Sequence, residues 1–348
     1  VKSVETMPYA LRVVALGGGT GLPVVLRGLK ALLFPEGTDD KARLIAIVTV
    51  TDEGGSSGRL REELGMLPPG DIRNCLVALS HNEPLMSRLF QARYRSGETL
   101  EGHSVGNLIL AALAQEEPGG FLAAVQLVSE VLNIQGRVFP STLTPARLVA
   151  KLAGGRHVTG ETSIVAAGDS VEELRLSPAD PPATPGLVHA IEQADIIVLG
   201  PGSMYSSIVP NLLVPEIAAA LRRARALRIL VINAMTELGE TGGYTASDHV
   251  RAISRHAGEG LLDGVLLPTD QIPDSTLQRY RAEGAVRVAP DDPEIDRLVP
   301  IVARRELLQT IPKVRHDALR TATGVLQMYA SWKSARESTP RERRGAGA

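Results

Sequence analysis

The chain has 348 residues, 44% hydrophobic and 22% charged, with 37 Lys and Arg against 39 Asp and Glu, so it can bury a sizeable core and carries no chain-wide field for nucleic acid or acidic membrane. A single cysteine, Cys75, excludes an internal disulfide and a Cys-based zinc cluster, and 3% aromatics are too few rings for a face that stacks single-stranded nucleic acid. No stretch reaches the roughly 18 uninterrupted apolar residues of a spanning helix and no signal core follows the first residues, so a soluble, cytoplasmic protein without a membrane span is expected.

Val13 to Leu16 is a short apolar run, and Leu22 to Leu33 carries apolar residues at helical spacing, which predicts strand, tight loop and helix. The loop between them, Gly17-Gly18-Gly19-Thr20-Gly21, fails two templates. Leu22 stands where a dinucleotide fingerprint needs glycine, and no Gly-Lys-Ser/Thr follows to make a P-loop, so NAD and ATP are not the leading ligands. The loop still suits phosphate, because Gly18, Gly19, Thr20 and Gly21 let backbone N–H groups approach a ligand at the positive end of a helix. A tight turn with no ligand is the structural alternative.

Leu44 to Val50 reads as a buried parallel strand that stops at Thr51. Asp52 to Arg61 then reads as a loop. Asp52 is placed to accept hydrogen bonds from sugar hydroxyls or, in a transferase, to bind Mg²⁺ or act as a base; Gly55, Ser56, Ser57 and Arg59 would face phosphates. Asp52 or Ser57 as a helix cap and Arg59 as a solvated charge are the plainer readings. Helices are expected over 71–79 and 107–113. Asp71 suits an N-cap, whereas Arg73 in the first helical turn opposes the dipole and is better explained by a bound anion beside it, with Asn74 next in line. His103 and Asn107 share a helix face at i, i+4.

Between residues 138 and 185 the texture changes to short β-like pieces, His157 to Ile164 among them, read as a small inserted β-rich lobe. Asp195 to Leu199 is the next strand and ends in Gly200-Pro201-Gly202-Ser203, where Gly200, Gly202, Ser203 and the amides after them repeat the logic of the first loop. A helix beyond Pro215 and strands at 227–232 and 261–267 follow. Asn233 to Thr236 and Tyr244 to His249 are candidates for the same cleft, with Asp248 equally suited to a cap. The expected fold class is α/β, a doubly wound, mostly parallel sheet covered on both faces, with ligands beyond the carboxyl ends of its strands. The expected divisions are a flexible 1–10, a sheet domain of 11–137 and 186–332, the insertion 138–185, and a disordered, Arg-rich tail 333–348 with Arg341, Arg343 and Arg344.

Five segments together resemble the gluconeogenesis factor family of bacterial morphogenesis proteins, a sister group of the 2-phospho-L-lactate transferases. They are Gly17 to Pro23, Gly54 to Arg61, Pro69 to Asn74, Gly102 to Leu108 and Gly200 to Ser203. Asn211 to Pro215 and Tyr244 to His249 look like the morphogenesis branch. The resemblance implies a Rossmann-like fold, a UDP-sugar ligand such as UDP-N-acetylglucosamine, and a regulatory role in cell shape and wall synthesis during gluconeogenic growth. It implies no required cofactor and no established reaction. A partner in wall synthesis and a homo-oligomer are further candidates. Tyr280 and Arg315 match family positions and suit a uracil ring and diphosphate oxygens. Two departures stand out: Glu53 occupies a position where a second Asp is common, weakening a two-Asp metal site, and an insertion at Pro35 to Lys41 is expected to reshape the rim of the site. The alternative is a Mg²⁺-dependent transferase of a phosphate-linked group organised by Asp52.

Overall fold

A computed structural model describes residues 11–35 and 38–338. Runs with no polar side chain to turn towards water become its central strands. β1 (Val13–Gly17) and β2 (Leu44–Val48) are buried at every position. After them come β3 (Arg137–Pro140), β4 (Arg147–Leu152), β5 (His157–Thr159), β6 (Val171–Ser177), β7 (Ile196–Leu199), β8 (Leu227–Val231), β9 (Gly264–Pro268), β10 (Ile301–Arg305), and the short pair β11 (Leu308–Gln309) and β12 (Arg315–His316). Seven of these form one sheet in the order β10-β9-β8-β7-β1-β2-β3, and every neighbouring pair is parallel. The strand order reverses between β1 and β7. In a doubly wound sheet, that reversal opens a crevice beyond the carboxyl ends of the two strands.

Alternation along β1 divides the core in two. Val13 and Ala15 face a cluster with Leu22, Leu26, Leu76 and Val325, while Val14 and Leu16 face Leu187, Ile191, Ile217 and Leu221. The first layer is built by α1 (Gly21–Leu33), α3 (Gly70–Leu79), α5 (Val105–Glu116), α6 (Gly120–Val131) and the final helix Ala318–Ser338, while α2 (Gly55–Leu64) and α4 (Glu83–Phe90) sit near the ligand end. Among the described residues no single helix is long and apolar enough to cross a membrane. A bent pair, Met204–Leu212 with Pro215–Arg223, passes on length and composition, yet its Ile208, Leu212, Ile217 and Leu221 are buried in the second core.

Several expectations need correction. The segment from Asp52 to Arg61 is a loop only as far as Gly54; α2 starts at Gly55, so Ser56, Ser57 and Arg59 lie on a helix. Low helix propensity is overridden there by tertiary contacts such as the Ser57 hydroxyl accepting from the Gly70 N–H. The inserted lobe is an antiparallel sheet, β5-β4-β6, spanning 147–177, whereas Val138 belongs to β3 at the edge of the main sheet. Glu161 to Ala167 is a helix, α7, rather than a β-like piece, bracketed by Gly160 and by Gly168 in the left-handed region. Residues 333–338 continue the final helix, where the Arg336 guanidinium lies 4.5 Å from the centre of the Trp332 ring, a cation–π contact. Arg341, Arg343, Arg344 and the N-terminal ten residues lie outside the described residues. Finally, Phe34 and Pro35 follow the end of α1, and residues 38–43 lead into β2. These described residues therefore lie at the amino-terminal edge of the sheet, opposite the crevice and away from its rim.

Candidate functional site

At the switch point lies a cavity of about 520 Å³. Its floor is the two glycine loops: Gly19, Thr20 and Gly21 after β1, and Pro201, Gly202 and Ser203 after β7. The loops touch directly. A Cβ on Gly21 would run into the Pro201 carbonyl, so this glycine is needed for backbone to meet backbone whether or not a ligand is present. Asn233 after β8 clamps the second loop, accepting from the Gly202 N–H at 3.0 Å and donating to the Gly202 carbonyl at 2.9 Å. One end of the cavity is polar, with Asn74, Arg27 and Gln91; the other has Met235, Glu237, Tyr280, Val314, Arg315 and His316. The Tyr280 hydroxyl accepts from the Val314 N–H at 3.2 Å, which fixes the strand that carries Arg315 beside it.

Of the residues singled out in the sequence, Gly19, Thr20, Gly21, Asn74, Gly202, Ser203, Tyr280 and Arg315 thus line one cavity, together with the whole segment Asn233 to Thr236. Four others form a buried polar chain behind it. Arg73 donates to the Ser104 hydroxyl, to Asn107 Oδ1 at 2.7 Å and to Asn74 Oδ1 at 2.9 Å, and Asn74 reaches the Gly19 carbonyl at 3.4 Å. Asn107 also donates to Ser56 Oγ at 3.0 Å, leaving the Ser56 hydroxyl to donate to His103 Nδ1 at 2.9 Å. That assignment needs a neutral imidazole, and burial together with Arg59 and Arg93 lowers the His103 pKa. The Arg73 guanidinium, expected to sit beside a bound anion, is held at its two terminal nitrogens by three neutral side-chain oxygens, while its buried Nε has no partner. It orients the Asn74 amide against the first glycine loop.

Arg59 turns away from the cavity, to the carbonyls of Thr99 and Glu101, and Gly55 sits exposed at the start of α2. Gly200 ends β7 beneath Ile208, outside the cavity lining. Asp52 accepts from the Gly54 N–H at 2.8 Å, and Glu53 points towards Arg61 and Arg147 of the lobe at 3.9 and 3.7 Å. Asp71 is not the N-cap of α3, which is Pro69; its carboxylate accepts from the Gly19 N–H behind the loop, where a Cβ on Gly18 would lie 2.6 Å from Oδ2. Burial, then the nearby Asp52, push the Asp71 pKa up to about 7. Glu161 of α7 accepts from the Glu53 N–H at 2.9 Å, and burial, with Asp52, Asp71 and Glu240 adding, raises it to about 8. Among the described residues no three His, Cys, Asp or Glu side chains converge as a metal site.

Two of the amides after Ser203, expected to hold phosphate, are already occupied. The Glu240 carboxylate, 6% exposed, accepts from the Tyr205 and Ser206 N–H groups at 2.9 and 3.3 Å. The cluster Tyr244 to His249 does not line the cavity either: Thr245 and Asp248 form a capping box at the start of helix Ala246–Ala257. What sequence reasoning missed is Arg27, Gln91, Glu237 and His316. Glu237 lies three residues before Glu240, and the pair is visible as Glu-Leu-Gly-Glu only once the strand before it is placed. Its pKa is raised to about 7 by burial, with Glu240 adding to the effect and a hydrogen bond from Ser203 opposing it. Burial drops His316 to about 4, and its Nε2 donates to the Ile232 carbonyl at 3.1 Å.

A family model described as 2-phospho-L-lactate transferase CofD matches residues 13–308. A protein named gluconeogenesis factor from Halalkalibacterium halodurans is 44% identical over 317 residues, covering 90% of this chain and 95% of that one. Another of the same name from Bacillus subtilis is 43% identical over 313 residues, covering 90% and 96%. A crystal structure of a Bacillus halodurans protein superposes with a TM-score of 0.85 at 42% identity, covering 91% of this chain and 99% of the other. The chain belongs to the 2-phospho-L-lactate transferase CofD family and shares with the proteins named gluconeogenesis factor nearly its whole length.

Proposed function

We propose that the chain is a cytoplasmic regulatory protein that binds a UDP-sugar such as UDP-N-acetylglucosamine, required for cell shape and wall synthesis under gluconeogenic growth. The observation that carries the ligand class is the single cavity of about 520 Å³ that joins both glycine loops to Tyr280 and Arg315. That volume suits a small-molecule site. The Tyr280 ring with Val314 and Met235 offers an apolar wall for a flat base, the loop amides and Arg315 offer donors to a diphosphate, and Asn74 and Gln91 offer hydrogen bonds to a sugar. The role in growth is supported by the name that the relatives carry, and a protein partner in wall synthesis and a homo-oligomer belong to the same proposal. No resident cofactor is part of it.

A second reading, group transfer to or from a phosphate-linked substrate, is favoured by the family description and by the half-buried, neighbouring carboxylates Asp52 and Asp71 behind the first loop. Asp52 would be its acid-base residue. Among the described residues no side-chain cluster assembles a Mg²⁺ site, so no step through a metal is derived. Calorimetry with UDP-N-acetylglucosamine, with and without Mg²⁺, followed by chromatography of the mixture, separates the two readings. Metal-independent binding with intact ligand is expected, and cleavage or transfer would sink the regulatory reading. Arg315→Ala is expected to weaken binding by about tenfold, the scale of one charge-assisted contact. Arg59→Ala, whose side chain serves the 99–101 segment, should change it by less than about twofold.

A further inference from the structure

We propose that Glu237 is a positioning residue that couples proton uptake to diphosphate binding by setting where the Ser203 hydroxyl points; the inference rests on the diphosphate ligand proposed above. The second glycine loop is short of donors. The Tyr205 and Ser206 amides are taken by Glu240, and the Gly202 N–H is taken by Asn233, so the Ser203 hydroxyl is a side-chain donor that an anion at this wall can use and, unlike a backbone amide, one that can be redirected. The Glu237 carboxylate competes for it: Glu237 lines the cavity, Ser203 hydrogen-bonds to it, and its Oε2 is buried with no partner. While Glu237 is ionised, Ser203 donates to it and turns only lone pairs towards the cavity. Once Glu237 is protonated, its O–H can donate to Ser203 Oγ, and the Ser203 proton is released to the phosphate oxygen. The proton comes from solvent and stays on the carboxyl; no bond to the ligand forms or breaks.

The groups around Glu237 favour this. Glu240 on the same loop makes a second negative charge unwelcome, and burial does the same, which places the transition near neutral pH. Glu161 of α7 faces Glu240 from the lobe and, with its own pKa raised to about 8, supplies no counter-ion. Arg287 follows on the segment whose backbone pairs with Met235, and across the cavity stand Arg27, ion-paired to Glu83, Tyr280, Arg315, and the neutral His316. None of these cations is an ion-pair partner of Glu237.

The test is calorimetry at pH 6, 7 and 8 in two buffers of different ionisation enthalpy, which counts protons taken up on binding. UDP-N-acetylglucosamine, ADP-ribose and NAD serve as probes, because a doubly esterified diphosphate keeps a constant charge over that range. The wild type is expected to take up a proton on binding near and above pH 7 and to lose about tenfold in affinity between pH 6 and 8, the scale of one linked proton. Glu237→Gln, whose amide donates to Ser203 permanently, should bind about as tightly at pH 8 as the wild type does at pH 6, with less than about twofold change over the range. Ser203→Ala should weaken binding at pH 6 and lose the slope as well. If Glu237→Gln keeps the wild-type slope and proton uptake, or if Ser203→Ala keeps the slope, the inference is overturned while the UDP-sugar reading stands. Binding of ADP-ribose or NAD but not of the UDP-sugar overturns the ligand proposed above and leaves the Glu237 comparison to be read on the probe that binds. Binding of none of the three overturns both.

Discussion

Asp71 shows how the first glycine loop is held. Its carboxylate accepts from the Gly19 N–H and lies beside Asp52, and its pKa is raised from the ordinary carboxylate range to about 7. A raised pKa means that the folded state binds this proton more tightly than the unfolded chain does. Between about pH 4 and 7 stability therefore falls as pH rises, and above 7 the whole penalty is present. Asp71→Asn removes the titration while keeping an acceptor for Gly19. Its stability relative to wild type is expected to climb between pH 4 and 7, to a gain of about 1–2 kcal/mol at pH 8, measured by urea unfolding at each pH. A difference that stays flat with pH would show that Asp71 ionises freely in the fold. At this scale the sequence was half legible. The motif around Asp71, Arg73 and Asn74 marked a polar focus, but spacing alone suggested a cap and an anion-bound arginine. The actual partners, Gly19, Ser104 and Asn107, come from elements 31 to 55 residues away, which no local pattern reveals.

At the scale of elements, apolar runs and turn residues were enough to place β1, α1, β2, α3, α5, β7 and β8, because each buries a run or stripe that only a strand or helix can hide. The errors fall where tertiary contact outweighs composition: α2, built on Gly and Ser, and α7, short and flanked by strands. A close helix contact was equally invisible. α1 packs on the final helix so tightly that a Cβ on Gly28 would run into the Ala318 carbonyl. In an exposed helix, Gly→Ala gains about 1 kcal/mol. Here the new methyl meets backbone, which cannot swing aside, and forced overpacking costs about 1–3 kcal/mol. The clash should win. Gly28→Ala is expected to destabilise by about 1–2 kcal/mol net, seen as a lower denaturant midpoint with unchanged slope. A more stable variant would mean that the final helix shifts at little cost, and that the two helices are not a rigid wall behind the first loop.

For the whole molecule, the reversal of strand order between β1 and β7 decides where function sits. It could be argued from the sequence once two strands ending in glycine loops were recognised, yet the far wall could not. Glu237, Arg315 and His316 follow strands β8 and β10 with ordinary loop compositions, and only the parallel sheet brings them opposite Thr20 and Gly21. A ligand in this crevice bridges the two halves of the sheet, whereas the antiparallel lobe, joined at Glu53 and Glu161, contributes no lining residue. Saturation at 100-fold above Kd stabilises the folded chain by about 2.7 kcal/mol. Hydrogen exchange should report that gain unevenly. With UDP-N-acetylglucosamine bound, slower exchange is expected together in residues 18–24, 202–204, 233–237 and 314–316, and none beyond the global shift in 147–177. Protection confined to one half of the sheet, or centred on the lobe, would mean that the ligand does not span the switch point and that the cavity joining the two glycine loops is not its site.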